Sequence, residues 1–469
     1  MAAGRGVLVV ALACACVFLM GGVTFGIGLA GPTFYLEALW ASTCDDALAP
    51  VCLAGRQAKL CCDAQFESLD LVMSIAFFLS DSTIGLWGEL ADRLGPRRAL
   101  AIGVSLSCFG SMLLSVNFRA GREPMATTAL LTLAVAGPGV FTGSFLSSLA
   151  FNASSPALQT ATSALTAAVY DASALVFATI DEVSTKGLLP AGTACGIWSA
   201  LSLCFGIALW LSLQPASSRS TAIATESSSL LASKETTEVT SASGKPEGAG
   251  SSRPAQTSPQ QAPRLLAVLL TPTNMLVVAY MASLNLPLNF FLQSQAIQMG
   301  LAFDDDAAEA LTELFSLLFP LVAFASALPI TLIVERTQLP EREYMVWSLL
   351  SLLAHVLLAV MLVPGLWAQR LAAGLFGTVR TLQWAVFFDF IARDRFLESQ
   401  RGRVLGYDVM ALALVSDTLP YGLTRLVDSD WGDSQLARYQ AVKLGLQLLF
   451  LPMSIILPAW LRANARRKT

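Results

Sequence analysis

Long runs of mainly apolar residues recur along the whole chain, separated by short polar connections. A helix that crosses a bilayer needs about 20 such residues. The pattern predicts spanning helices near 7–31, 67–90, 98–117, 125–149, 158–181 and 192–213. A second set is predicted near 265–298, 308–334, 343–363, 366–391, 402–426 and 437–461. The first run follows Arg5 and continues to Gly31, past the length of a signal-peptide core, which favours an uncleaved first helix.

Between the two sets the pattern changes. Residues 214–264 hold 18 Ser or Thr among 51 and no aromatic residue. Such a segment cannot bury a core and is expected to be a disordered linker. The predicted organisation is a six-helix half at 1–213, a cytoplasmic linker at 214–264, a second six-helix half at 265–463 and a tail at 464–469. The predicted fold class is therefore all-α, a twelve-helix membrane protein built from two pseudo-symmetric halves. Transporter folds built from two such halves place their solute site between them, near the bilayer midplane.

Composition supports lipid as the main solvent. Apolar residues make up 55% of the 469 residues and charged residues 13%, about half the charged share of a soluble domain. The net charge of −4 argues against a nucleic-acid partner. A lone histidine, His355, leaves no Cys/His metal cluster. No nucleophile motif or phosphate loop is present, so no catalytic activity and no cofactor are expected. With both termini placed in the cytoplasm, 19 of the 29 Lys and Arg fall on that side. The opposite loops are acidic, as in Asp304–Asp306. Cys44, Cys52, Cys61 and Cys62 cluster in one such loop, where one or two disulfides are expected, with three full pairings open. The plasma membrane is the expected location, and a monomer embedded in lipid the expected state.

After the second run comes Gly88-Glu-Leu-Ala-Asp92-Arg93-Leu-Gly95-Pro-Arg97-Arg98. Gly88 lets its helix pack closely on a neighbour, and Gly95-Pro96 makes a tight turn. Asp92 can pair with arginines or with a facing helix end, as a latch. The string resembles the signature between helices 2 and 3 of the major facilitator superfamily, whose members transport solutes by alternating access. Val334-Glu335-Arg336-Thr337 occupies the equivalent place in the second half without the glycines.

Scattered stretches resemble one branch of that superfamily, the system L facilitative amino acid transporters and the related apicomplexan amino acid transporters. They are Phe25-Gly26-Ile-Gly28, Ala168-Val-Tyr170-Asp171-Ala-Ser173, Leu286-Pro-Leu-Asn289-Phe-Phe291, Leu375-Phe-Gly377-Thr-Val-Arg380-Thr381, and Gly402-Arg-Val-Leu-Gly406 with Pro420-Tyr421. The resemblance implies transport of amino acids, large neutral, aromatic or cationic, as a uniporter or proton-linked carrier. The alternative is a carrier of another small solute, such as a nucleobase, nucleoside or sugar. The chain departs from the animal members in its extra intramembrane acids.

Charges within a bilayer cost about 2.5–3.5 kcal/mol each and usually face a cavity or a partner. Asp81, Asp171, Arg380 and Asp417 are such residues. Arg380 is a candidate fork for a carboxylate, or else an ion-pair partner of Asp389 or Asp417. Asp389 lies about 13 Å further along the same helix, which makes it a poor partner. Asp171 is a candidate for an ammonium or a proton, or else a packing residue. The glycines of helix 1, Gly21, Gly22, Gly26, Gly28 and Gly31, suit either unwinding around a solute or close helix packing. Asn285, Asn289 and Gln293 share one helical face and are expected either to line the pathway or to bond between helices. His355 is read as a packing residue.

Overall fold

The computed structural model describes residues 2–44, 62–120, 123–213, 265–336, 343–392, 400–416, 418–428 and 434–466. The linker at 214–264, Asp417, Cys52 and Cys61 lie outside the described residues.

All regular structure among the described residues is helical. The first half begins with α1 (Ala2–Met20), a 3-10 stretch (Val23–Ala30) and the short α2 (Gly31–Leu36). It continues with α3 (Asp63–Leu94), α4 (Pro96–Ala120), α5 (Glu123–Phe151), α6 (Pro156–Ala172), α7 (Leu175–Thr185) and α8 (Ala191–Ser212). The second half holds α9 (Leu265–Leu269), α10 (Pro272–Ala302), α11 (Asp305–Arg336), α12 (Glu343–Met361) and α13 (Leu366–Ala392). It ends with α14 (Arg401–Ser416), α15 (Thr418–Asp428) and α16 (Gln435–Arg466). Among the described residues, ten stretches are long and apolar enough to cross a membrane, α6 and α7 counting as one. The remaining two crossings are α1 with its 3-10 continuation and α2, and α14 with α15 on either side of Asp417. This is a twelve-span, six-plus-six arrangement.

The helices overrun their predicted limits at both ends of the chain. α1 starts at Ala2, and α16 runs to Arg466, so the expected tail at 464–469 begins as helix. Helical hydrogen bonds continue through polar residues at the ends of a crossing, where hydropathy no longer reports them.

Exposed Leu, Ile and Val side chains cover the outside. Leu86, Leu328 and Ile455 are 72%, 69% and 62% exposed. In water such a surface would be a liability; in lipid it is the solvated face.

Two interrupted crossings meet each other. Ser173 Oγ donates to the Tyr170 carbonyl (2.6 Å) and Ser173 N–H donates to the same oxygen (3.3 Å). That competition ends α6 at Ala172, and three-residue turns lead into α7. The 3-10 stretch packs on this junction. A Cβ on Gly22 would lie 2.3 Å from the Tyr170 carbonyl oxygen, and one on Gly26 would lie 2.5 Å from that of Ala174. Only glycine permits this backbone-to-backbone approach.

The two halves touch unequally along their length. Near the side that carries the ends of the chain, α3 packs tightly along α14, and α6 along α11 and α13. Phe141 and Phe145 of α5 there stack about Phe388 of α13 at 5.0 and 5.4 Å. Towards the opposite side, α7 barely meets α11, and α15 packs within its own half.

Candidate solute site and gate

Arg380 lies near the middle of α13 and is 2% exposed. Its Nε donates to Asp171 Oδ1 at 3.0 Å, and its Nη1 donates to Asn289 Oδ1 at 2.9 Å. Asp171, 1% exposed, sits at the break between α6 and α7, near the midpoint of the Ala157–Thr185 crossing. The ion pair therefore joins the two halves at mid-membrane depth. Asp171 Oδ2 accepts no hydrogen bond. A buried carboxylate oxygen without a donor is costly, so Asp171 keeps the capacity to accept one more hydrogen bond.

Around the pair runs a polar network. Asn289 Nδ2 donates to the Ser416 carbonyl (3.1 Å) of α14. Asn285 Nδ2 reaches Ser416 Oγ at 3.4 Å, and Gln383 Nε2 donates to Asn285 Oδ1 at 3.2 Å. Gln293, one turn beyond Asn289, is half-buried, and its Oε1 accepts no hydrogen bond. On the first half, Tyr170 contacts Ser80 Oγ (3.4 Å) and meets Phe141 edge-on. Asp81, 8% exposed, lies within electrostatic reach of both Tyr170 and Asp171.

Arg380 is paired across the halves with Asp171, a partner the sequence did not suggest. Asp389, further along the same helix and a poor partner by distance, accepts from Thr160 Oγ1 (3.3 Å). Asp417 and the Phe25 side chain lie outside the described residues. Gly26 and Ser173 belong to the contact between the two interrupted helices, not to the charged network. Ser416 and Gln383 were not singled out from the sequence. Gln383 was findable, because it sits three residues after Arg380 on the same helical face.

A second constellation closes the side carrying the chain ends. Asp92 Oδ1 accepts from Gly402 N–H (3.1 Å), and its Oδ2 accepts from Arg403 N–H (2.9 Å) and Arg403 Nε (3.3 Å). Asp92 thus caps the first turn of α14 from the other half, where orphan N–H groups and the helix dipole favour an anion. Gly88 and Gly402 allow the approach: a Cβ on Gly88 would lie 2.0 Å from the Gly402 carbonyl oxygen. The other arginines of the motif take different partners. Arg93 pairs with Glu89 on its own helix. Arg97 donates to the Trp210 carbonyl (3.1 Å) and lies 4.0 Å over its ring. Gly95 turns the chain at φ 91°, and the Arg98 N–H donates to its carbonyl (3.1 Å). On the opposite side, the bridge between halves is Arg425 with Asp70 (3.5 Å) and Glu67 (4.0 Å), all solvent-accessible.

Between α2 and α3, Cys44 and Cys62 form a disulfide. His355 bonds to Ser454 Oγ (2.9 Å) and packs on Phe450, away from both constellations.

No family model matches the sequence, and no curated protein matches it. Solved structures do. The chain is similar to the major facilitator proton:xylose symporter XylE bound to 6-bromo-6-deoxy-D-glucose, at 12% identity and TM-score 0.61, covering 96% of each chain. It is similar to the human organic anion transporter MFSD10 at 16% identity and TM-score 0.62, covering 97% of this chain and 99% of that one. It is also similar to the major facilitator transporter FucP in its outward conformation, at 13% identity and TM-score 0.58, covering 96% and 99%. At these identities the likeness is one of fold, and the fold is that of the major facilitator superfamily.

Proposed function

We propose that this chain is a transporter that moves amino acids across a membrane by alternating access, binding them at the Asp171–Arg380 pair. The observation that carries this reading is the pair itself: opposite charges buried at mid-depth, one from each half. An amino acid zwitterion presents the same two charges. Its carboxylate suits the Arg380 guanidinium, which is a planar donor fork. Its ammonium suits Asp171, whose Oδ2 lacks a donor. Entry of the solute exchanges one internal ion pair for two solute contacts, so the charges are never left bare in a medium where that is costly. Asp81 adds a second acid to the site, which favours cationic alongside large neutral and aromatic amino acids.

The gate fits the same cycle. With Asp92 seated on α14, the side with the chain ends is sealed and the solvent-accessible Arg425 bridge is the weaker closure. Rocking of one half against the other would release Asp92 and part α3 from α14. With the termini cytoplasmic, the present state is the outward-biased one. The plasma membrane is the proposed location, the monomer the proposed unit, and residues 214–264 the cytoplasmic linker between the halves.

A second reading is a carrier of a neutral polyhydroxylated solute such as a sugar, or of a nucleobase or nucleoside. The carboxamides Asn285, Asn289, Gln293 and Gln383 beside the pair favour it, as does the likeness to a proton:xylose symporter. In that case Asp171 would exchange protons and free Arg380 in turn. Uptake of labelled amino acids, sugars and nucleobases into proteoliposomes, with and without a proton gradient, separates the two. Saturable amino acid uptake is expected. Uptake of sugars or nucleobases alone would overturn the amino acid reading in favour of the second.

A further inference from the structure

We propose that Asp408 is a proton-binding site, its carboxyl held neutral against the Asn274 amide inside the second half. The site is separate from the Asp171–Arg380 pair. Asp408 is 4% exposed and lies on α14, and Asn274, 1% exposed, lies in the first turn of α10. Asn274 Nδ2 donates to Asp408 Oδ1 (2.9 Å) and to the Leu269 carbonyl (3.2 Å). Both amide N–H groups are thereby spent on acceptors, which fixes the amide orientation and leaves Asn274 Oδ1 as an acceptor. That Oδ1 and Asp408 Oδ2 are both buried without a hydrogen-bond partner. The two residues share one hydrogen bond, and each keeps a buried acceptor without a donor. A proton on Asp408 Oδ2 supplies one: a carboxylic acid and a carboxamide pair through two complementary hydrogen bonds, and both oxygens are then satisfied.

The charged surroundings favour the neutral acid. Neither α9 nor α10 carries a charged residue. On α14, Arg403 is engaged by Asp92, and Arg401 lies two turns away. Asp408 stands about 200° around the helix from Gly406, which faces α3. The charges of α3 on either side of that contact, Asp81, Glu89, Asp92 and Arg93, are therefore on the far side of α14. On α13, Arg380 and Asp389 are directed at the first half, and Arg370 is exposed. On α15, Arg425 is engaged near Glu67 and Asp70. An ionised carboxylate held by one neutral amide in this setting would carry a large desolvation cost.

The position gives the proton a consequence, which rests on the transport reading above. α14 bears the gate contact with Asp92 on one face, the Asn274 contact on the other, and Ser416 of the solute network further along. A neutral Asp408 fastens α14 to α10 in the closed state. Loss of that proton would leave a charge in this buried contact and loosen α14 from α10, so proton occupancy at Asp408 bears on the element that carries the gate.

Infrared difference spectroscopy on the purified full-length protein in lipid nanodiscs, with no solute added, tests the site. Wild type should show a protonated-carboxyl C=O band at neutral pH that Asp408→Asn removes. Asp408→Glu should keep the band at a shifted position, and Asn274→Leu should shift it by deleting its hydrogen-bond partner. These two variants decide the matter should Asp408→Asn not fold. Spectra in which Asp408→Asn removes no such band and Asn274→Leu moves none overturn the proposal, as does loss of the band on adding sodium at constant pH. Because no transport is needed for this readout, a protein that takes up nothing would sink the function above while leaving the band in place. A missing band would do the reverse.

Discussion

Arg380 and Asp171 hold each other in place, and the arithmetic of burial says how strongly. Removing one member of a buried pair leaves the other uncompensated, at a cost of about 3–5 kcal/mol. Arg380→Ala should therefore lower the thermal unfolding midpoint in detergent sharply. The double variant Arg380→Met with Asp171→Leu should recover most of that loss, because two apolar side chains of similar volume avoid the bare charge. If the pair serves only structure, the double variant recovers uptake too; the transport account expects it to remain inactive. Both residues were legible in the sequence, since a charge inside an apolar run is conspicuous. Their pairing was not. They are 209 positions apart, in different halves, and only packing of α6 against α13 brings them together. The same holds for Asp92 and Arg403, whose separation is 311 positions.

The helices were legible to within a turn or so at most ends, because the length of an apolar run in lipid is set by the bilayer. Their interruptions were harder to read. The glycines of the first crossing signalled a break, and one occurs after Met20. The end of α6 depends on Ser173 turning back on the Tyr170 carbonyl, a local competition that hydropathy does not report. Gly22→Val tests how closely these two interruptions depend on each other. Its side chain would strike the Tyr170 carbonyl and Ser173 Oγ, so the two crossings must separate. Lower thermal stability and loss of uptake are expected; wild-type behaviour in both would show that the contact is dispensable. The disulfide acts on the neighbouring loop. It closes a separation of 18 residues, for which chain entropy gives about 3 kcal/mol. Cys44→Ser should lower the unfolding midpoint without altering the affinity for solute.

At the scale of the whole molecule the two ends of the interface differ in kind. One is closed by a buried glycine crossing, an aromatic cluster and a capped helix; the other, by accessible charges worth about 0–1 kcal/mol each. The balance between the two facing states should respond to the stronger end. Asp92→Asn removes the charged cap from α14, and Gly88→Val makes the closed crossing sterically untenable. Both should raise the labelling rate of a cysteine placed in α14 by reagents added on the side of the chain ends. Unchanged labelling in both variants would show that this contact is not the gate. The two-half organisation and the latch motif were legible from repeats of hydropathy and from spacing. The unequal closure was not, since it is a property of one conformation and not of the chain.

The central claim is that the Asp171–Arg380 pair is where the solute binds. Initial uptake rates of a labelled amino acid panel into proteoliposomes, wild type against Arg380→Ala at matched amounts of folded protein, test it most directly. Truncating one partner of a buried charge pair costs about 2–5 kcal/mol, so uptake should fall at least about 30-fold. Saturable wild-type uptake with Arg380→Ala within a factor of about two would contradict the account, as would no uptake of any amino acid by folded wild-type protein.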